Sequence, residues 1–272
     1  MRLAFSNLAW SPSDDAAVAD ALRTAGAQGV ELAPSKVWPR APRVADGAAE
    51  SLRDWWRDAG FEIVAFQAIL YGHPEFDLFG EATGVEALQR HLVEMGALAA
   101  RCGARVLVLG APGNRKRGQR SMNAAVTAAA RVLRGTAEAL AAYDVALCIE
   151  PNPPRYGCDF VTTAAEATVL CEAVAHPQFG VHLDTAALAL SGEATLGALA
   201  PVMPHVRHLH LSEVDLVPVG SSSSVPHAAL GAALREAGYV GWISVEMKLG
   251  ECDDWRSALP RAAAVARDFY LG

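Results

Sequence analysis

The chain has 272 residues, 52% of them hydrophobic, and 30 acidic residues against 23 basic ones give it a formal charge of −7. This length and apolar content allow one large core or two small domains. The acidic balance excludes broad attraction to a nucleic-acid backbone, and no stretch is apolar over the ~18 residues that a membrane span needs.

The opening "MRLAFSNLAW" has one arginine and an apolar run broken by Asn7, so it reads as a first strand over 3–7 and not as a signal peptide. A helical pattern over 16–25 ends at Gly26, and an apolar run follows at 29–33. The same wording returns at Gly60 before 62–68, at Gly103 before 105–110 and at Gly238 before 242–247. Glycine accepts the left-handed conformation at a helix C-terminus, so each is a helix-to-strand junction. The step recurs without that glycine before 145–150, 179–184 and 205–211, and 84–101 and 123–143 are the clearest of the other helices. Several runs are apolar on both faces, as parallel strands covered by helices require. Eight strand-then-helix units predict a (β/α)8 barrel, a single domain over 1–272. A doubly wound sheet lacks support, because "SNLAWSPSDD" stands where a G-x-G-x-x-G would follow the first strand. Five scattered cysteines (Cys102, Cys148, Cys158, Cys171, Cys252), odd in number and without metal-ligand spacing, point to reduced thiols in a cytoplasm.

The C-terminal strand ends of a barrel converge on one mouth. The polar residues there are Asn7, Glu31, Gln67, Glu150, His182 with Asp184, His208 with His210, and Glu246 with Lys248, with none after the fourth strand. Glu150, Asp184, His210 and Glu246 come from strands five to eight. Three carboxylates and an imidazole suit a divalent cation such as Mn²⁺, Mg²⁺, Co²⁺, Fe²⁺ or Zn²⁺, and three buried acids repel one another without one. Each taken singly also reads as a strand-end group facing water. Residues two apart on a strand share a side, so His182 and His208 are expected to contact substrate or to orient a metal ligand, with a satisfied core histidine as the alternative. Lys248 is expected to neutralise an oxyanion or pair with Glu246, and Gln67 to face the substrate. His227, in the loop 212–229, reads as a substrate contact from a lid or as an exposed loop histidine. The basic run "NRKRGQR" (114–120) reads as a solvated loop, with a phosphate contact at the mouth as the alternative.

The motifs "LAFSNLAW", "GAQGVELAP", "CIEPNP", "VHLDTAAL", "HLHLSE" and "GYVGWISVEMK" span nearly the whole chain. In their order and spacing the sequence resembles the xylose-isomerase-like TIM-barrel superfamily, in its sugar phosphate isomerase/epimerase branch. The resemblance implies one divalent metal on Glu150, Asp184, His210 and Glu246. It also implies Glu150 and Glu246 as the acid/base pair moving a proton beside a carbonyl through a metal-stabilised enediolate, and a carbohydrate substrate. Barrels of this branch often pair, which leaves a homodimer open. Ketose 3-epimerases of the branch carry a histidine, an arginine and a glutamate at substrate-contacting positions where this chain has Ala187, Leu216 and Tyr156. An isomerase or epimerase of a sugar, keto-sugar or polyol derivative is therefore the leading expectation. The alternative is a dehydratase or lyase on an inosose or 3-keto-glycoside; less favoured are a non-catalytic barrel and an endonuclease-like enzyme, the last opposed by the negative charge. Specificity is expected in the loops 33–47, 70–82 and 212–229.

Overall fold

The computed structural model describes residues 1–250 and 253–271. Eight parallel strands close a barrel in sequence order: β1 Arg2–Ser6, β2 Gly29–Leu32, β3 Glu62–Phe66, β4 Val106–Leu109, β5 Ala146–Ile149, β6 Phe179–Asp184, β7 Val206–Leu211 and β8 Trp242–Val245, which pairs back onto β1. Helices α1 Asp15–Thr24, α2 Pro34–Val37, α3 Ala48–Asp58, α4 Ala82–Arg101, α5 Met122–Leu140, α6 Ala164–Val174, α7 Thr185–Leu190, α8 Leu196–Val202, α9 His227–Glu236 and α10 Trp255–Ala266 lie between and after the strands. The expected barrel is thus the observed one. None of these helices is long and apolar enough to cross a membrane.

The helix-to-strand grammar has the cause inferred for it. Gly26, Gly60, Gly103 and Gly238 all take positive φ, between 77° and 95°, two residues past the last helical residue, where a side chain would be strained. Strands such as β2 and β5 are buried at every position, which is why their sequences do not alternate. Toward the strands' N-terminal ends the barrel is plugged by Ala4, Val64 and Ala65 against Val106 and Trp242. Gly29 leaves room there, since a Cβ on it would stand 2.7 Å from Val64 and 3.0 Å from the Trp242 ring. Polar side chains occupy the other end. Cys102, Cys148, Cys158 and Cys171 are buried free thiols, and Cys252 lies outside the described residues.

Candidate active site

The registers of β6 and β7 set the site. His182 lies beside His208 and Asp184 beside His210, after a register shift between Val181 and His182. The two pairs singled out in the sequence therefore form two tiers, histidines below and the aspartate–histidine pair above. Glu150 follows β5 with its backbone N–H on Leu109 O at 3.2 Å, and Glu246 follows β8 with its N–H on Leu211 O at 2.9 Å. The Pro-Asn-Pro-Pro after Glu150 ends the strand, and a single 3-10 turn, Pro154–Tyr156, follows it.

Donor atoms of Glu150, Asp184 and His210 lie within 4.8 Å of one another. Glu246 joins them through His210: its Oε2 is 3.2 Å from His210 Nδ1, outside hydrogen-bond geometry, so this buried nitrogen has no hydrogen-bond partner. The other ring nitrogen, Nε2, donates to Glu31, 3.0 Å from both carboxylate oxygens. Glu31 is fully buried and also accepts from His208 Nε2 at 3.1 Å. A buried carboxylate thereby holds the proton on Nε2 and turns Nδ1 toward the three acids, the arrangement that orients histidine ligands of metals. Asp184 is fixed in turn: it caps α7 by accepting from Ala187 N at 2.7 Å, and its other oxygen accepts from the Ser212 hydroxyl. Gln67 Nε2 donates to Glu246 Oε1 at 3.0 Å.

Electrostatics mark the same cluster. Burial and the Asp184 and Glu246 carboxylates push Glu150 up to about 8; burial and Glu246 push Asp184 up to about 6. Burial works against a charge on His210, yet Glu31 and Glu246 hold it well above the ordinary imidazole value. An unpartnered imidazole nitrogen facing mutually repelling carboxylates fits a hard or intermediate divalent cation, which would replace the proton and relieve the repulsion.

A cavity of about 530 Å³ opens over these groups. Glu150, His210 and Glu246 line it with Gln67, Leu216 and Lys248, and the segments 68–74 and 110–114 complete its wall. Leu216 is held there by an unusual backbone: Asp215 and Leu216 are both left-handed, with φ of 60° and 57°. Leu216 N–H donates to Glu213 O at 2.9 Å, and its carbonyl accepts from Lys248 N–H at 2.8 Å. The loop after β7 is so stitched to the chain after β8.

Other expected positions fall elsewhere. His208 is a buried partner of Glu31 and lies outside the cavity wall. His182 is buried against His210, ring centroids 4.0 Å apart, with both nitrogens unpartnered. Burial, then the neighbouring His210 and His208, hold it well below the ordinary value, so it is neutral. His227 is neither a lid contact nor exposed. It is buried at the start of α9, where Nε2 donates to Glu213 Oε1 at 3.1 Å and Nδ1 stands 2.8 Å from the Tyr270 hydroxyl. Glu213 also accepts from Ser222 at 2.6 Å and Ser224 at 2.9 Å, so the serine run is tied down by a buried acid. The run 114–120 is only partly solvated: Lys116 is exposed, but Arg115 is 1% exposed and turned inward.

Residues that sequence reasoning left without a role are Glu31, Ser212, Gly110 and Arg115. Glu31 and Ser212 were visible as polar residues at or just past strand ends. Gly110 ends the strand that offers no polar group, and its bareness is the signal: a Cβ there would stand 2.3 Å from Glu150 Oε2.

No curated protein sequence matches the chain. Among solved structures, D-psicose 3-epimerase in the presence of D-fructose superposes with a TM-score of 0.82 at 16% identity over 100% of both chains. An apo 3-keto-D-glucoside 4-epimerase from E. coli gives 0.79 at 16% identity over 98% of this chain and 99% of that one. L-ribulose 3-epimerase gives 0.79 at 20% identity over 97% and 92%. The family model described as xylose isomerase-like TIM barrel matches residues 19–269, nearly the whole length, and the chain belongs to that family.

Proposed function

We propose that this protein is a divalent-metal-dependent sugar isomerase or epimerase acting beside a carbonyl of a keto-sugar, sugar or polyol derivative. The observation that carries the reading is the pairing of an unpartnered His210 Nδ1, aimed by Glu31, with Glu150 and Asp184 at the mouth of a family barrel. Glu150, Asp184, His210 and Glu246 would hold the cation, which when bound polarises carbonyl and hydroxyl oxygens of a sugar. Glu150 and Glu246 both line the cavity, from strands separated by β6 and β7. One takes the proton from the carbon next to the carbonyl, and the other returns one to the opposite face of the enediolate. Gln67 holds Glu246 in place, and Lys248 supplies positive charge where oxyanion character develops. The superposed structures, epimerases of 3-keto-D-glucoside, D-psicose and L-ribulose, support this chemistry.

An elimination on an inosose or 3-keto-glycoside shares the first proton transfer. It is favoured by Leu216 on the cavity wall, where an arginine is expected for free ketoses. Incubation with Mn²⁺ and keto-sugars in D₂O, followed by NMR, separates the two: an intact skeleton carrying deuterium marks epimerisation, and released water or aglycone marks elimination. Glu150→Gln should abolish both turnover and stoichiometric Mn²⁺ binding. A protein that binds no divalent metal, or a Glu150→Gln variant that turns over normally, would refute the proposal.

A further inference from the structure

Arg115 is a buried cation without a carboxylate partner. No salt bridge reaches it among the described residues; its guanidinium is spent on main-chain oxygens. Nε donates to Gly110 O at 2.7 Å, Nη2 to Glu150 O at 2.6 Å, and Nη1 to Phe160 O and, at 3.4 Å, to Val161 O. Three pieces of chain are thereby clamped by one planar group: the residue after β4, the residue after β5 and the returning end of the 151–161 loop. Burying a guanidinium is costly before its bonds are counted, and a neutral side chain would be the cheaper filler. The fork has a geometric use that a filler lacks, since five donors in one plane fix the separation of the carbonyls they bind.

That separation matters at one point. Glu150 Oε2 rests over the bare Cα of Gly110, where a Cβ would be 2.3 Å away, and Arg115 binds the carbonyls of these same two residues. Resting on the metal reading above, we infer that Arg115 is a positioning residue for Glu150, setting where its carboxylate enters the ligand cluster by pinning the ends of β4 and β5 together. It touches neither substrate nor cation. Lysine at this position keeps the charge and has three N–H donors, but they radiate from one nitrogen and cannot reproduce the spacing at which the planar fork holds the Gly110, Glu150 and Phe160 carbonyls.

The test compares Arg115→Lys and Arg115→Gln with Arg134→Lys. Arg134 makes the same kind of bond, to Val174 O at 2.8 Å and Ala173 O at 2.7 Å at the end of α6, away from the mouth. Mn²⁺ affinity is measured by calorimetry on folded protein, and metal-free crystal structures are solved for the unaltered and Arg115→Lys proteins. We expect both Arg115 variants to bind Mn²⁺ roughly 10- to 100-fold more weakly, the usual loss when a ligand's support is removed. Arg134→Lys should bind as the unaltered protein does, and the Glu150 carboxylate should leave Gly110 in the metal-free Arg115→Lys structure. Unchanged affinity in the Arg115 variants, or an equal loss in Arg134→Lys, overturns the inference while leaving the metal reading intact. If the unaltered protein binds no Mn²⁺, that reading fails, and the position of Glu150 in the metal-free structures still decides the role of Arg115.

Discussion

Gly110→Ala is the sharpest small perturbation of this site. The added Cβ would stand 2.3 Å from Glu150 Oε2, whereas ordinary contact begins near 3.4 Å, so the carboxylate must retreat by about 1 Å. Position 110 is not among the positive-φ residues, and alanine is accommodated by the backbone there. What must move is the far end of a long side chain, and rotating it off its preferred rotamer costs about 1 kcal/mol, so the melting temperature should shift by a few degrees at most. Ligand geometry is less forgiving: a misplacement of about 1 Å can cost on the order of 10²-fold in catalysis, and metal affinity should fall roughly 10- to 100-fold as for other losses of support. Calorimetric titration with Mn²⁺ beside a thermal melt of the metal-free protein reads both quantities. Normal Mn²⁺ affinity in a stably folded Gly110→Ala variant would show that Glu150 does not bind metal from its place over Gly110. A large loss of stability would show instead that the glycine protects the strand end and not the carboxylate.

Glu31→Gln removes the charge that holds His210 Nε2–H and His208 Nε2–H. It should weaken Mn²⁺ binding roughly 10- to 100-fold and, by breaking a buried ionic cluster, destabilise the fold by about 3–5 kcal/mol, read by chemical denaturation. Glu150 near 8 and Asp184 near 6 both stand above the ordinary carboxylate range. Their contribution to metal-free stability is therefore fully present in acid and is lost as pH rises through about 6 and then about 8. Because a metal needs the deprotonated ligands, Mn²⁺ affinity should climb over the same window and level off above it; thermal melts with and without Mn²⁺ across that range would contradict this if the metal-induced shift did not grow with pH. His227→Phe leaves Glu213 short of a donor and the Tyr270 hydroxyl unpartnered, a loss of about 1–3 kcal/mol, with Mn²⁺ affinity unchanged. A selective effect on substrate KM at unchanged stability would restore His227 to the cavity.

The barrel was legible because its signals are local. A left-handed glycine after a helix and a run apolar on both faces each declare themselves within a dozen residues, and strand bounds fell within about two residues of the expected ones, a usual margin. The convergence of these side chains was legible because strand ends converge by topology, so Glu150, Asp184, His210 and Glu246 needed no loop geometry to be brought together. His227 was misplaced because its partner is Tyr270, forty-three residues on, and a loop composition rich in serine gives no hint that a buried Glu213 organises it. Arg115 was hidden for a related reason: a charge run reads as solvated, and the carbonyls that draw one member inward carry no sequence signature.

The polar column beneath the site has a cost that its chemistry explains. A buried acid among imidazoles is no more stabilising than a well-packed apolar stack of the same volume, and His182 adds two unpartnered nitrogens. What an apolar stack could not do is choose the tautomer of His210. Glu31 binds only N–H groups, so it keeps the proton on Nε2 and leaves Nδ1 as the nitrogen facing Glu150 and Asp184. Charge is apportioned by the same column. Glu31 and Glu246 favour a positive charge on His210, and burial with its two imidazole neighbours denies one to His182. Positive charge is thereby favoured on His210, the imidazole beside Glu150 and Asp184, whose Nδ1 is the nitrogen where a divalent cation would displace a proton.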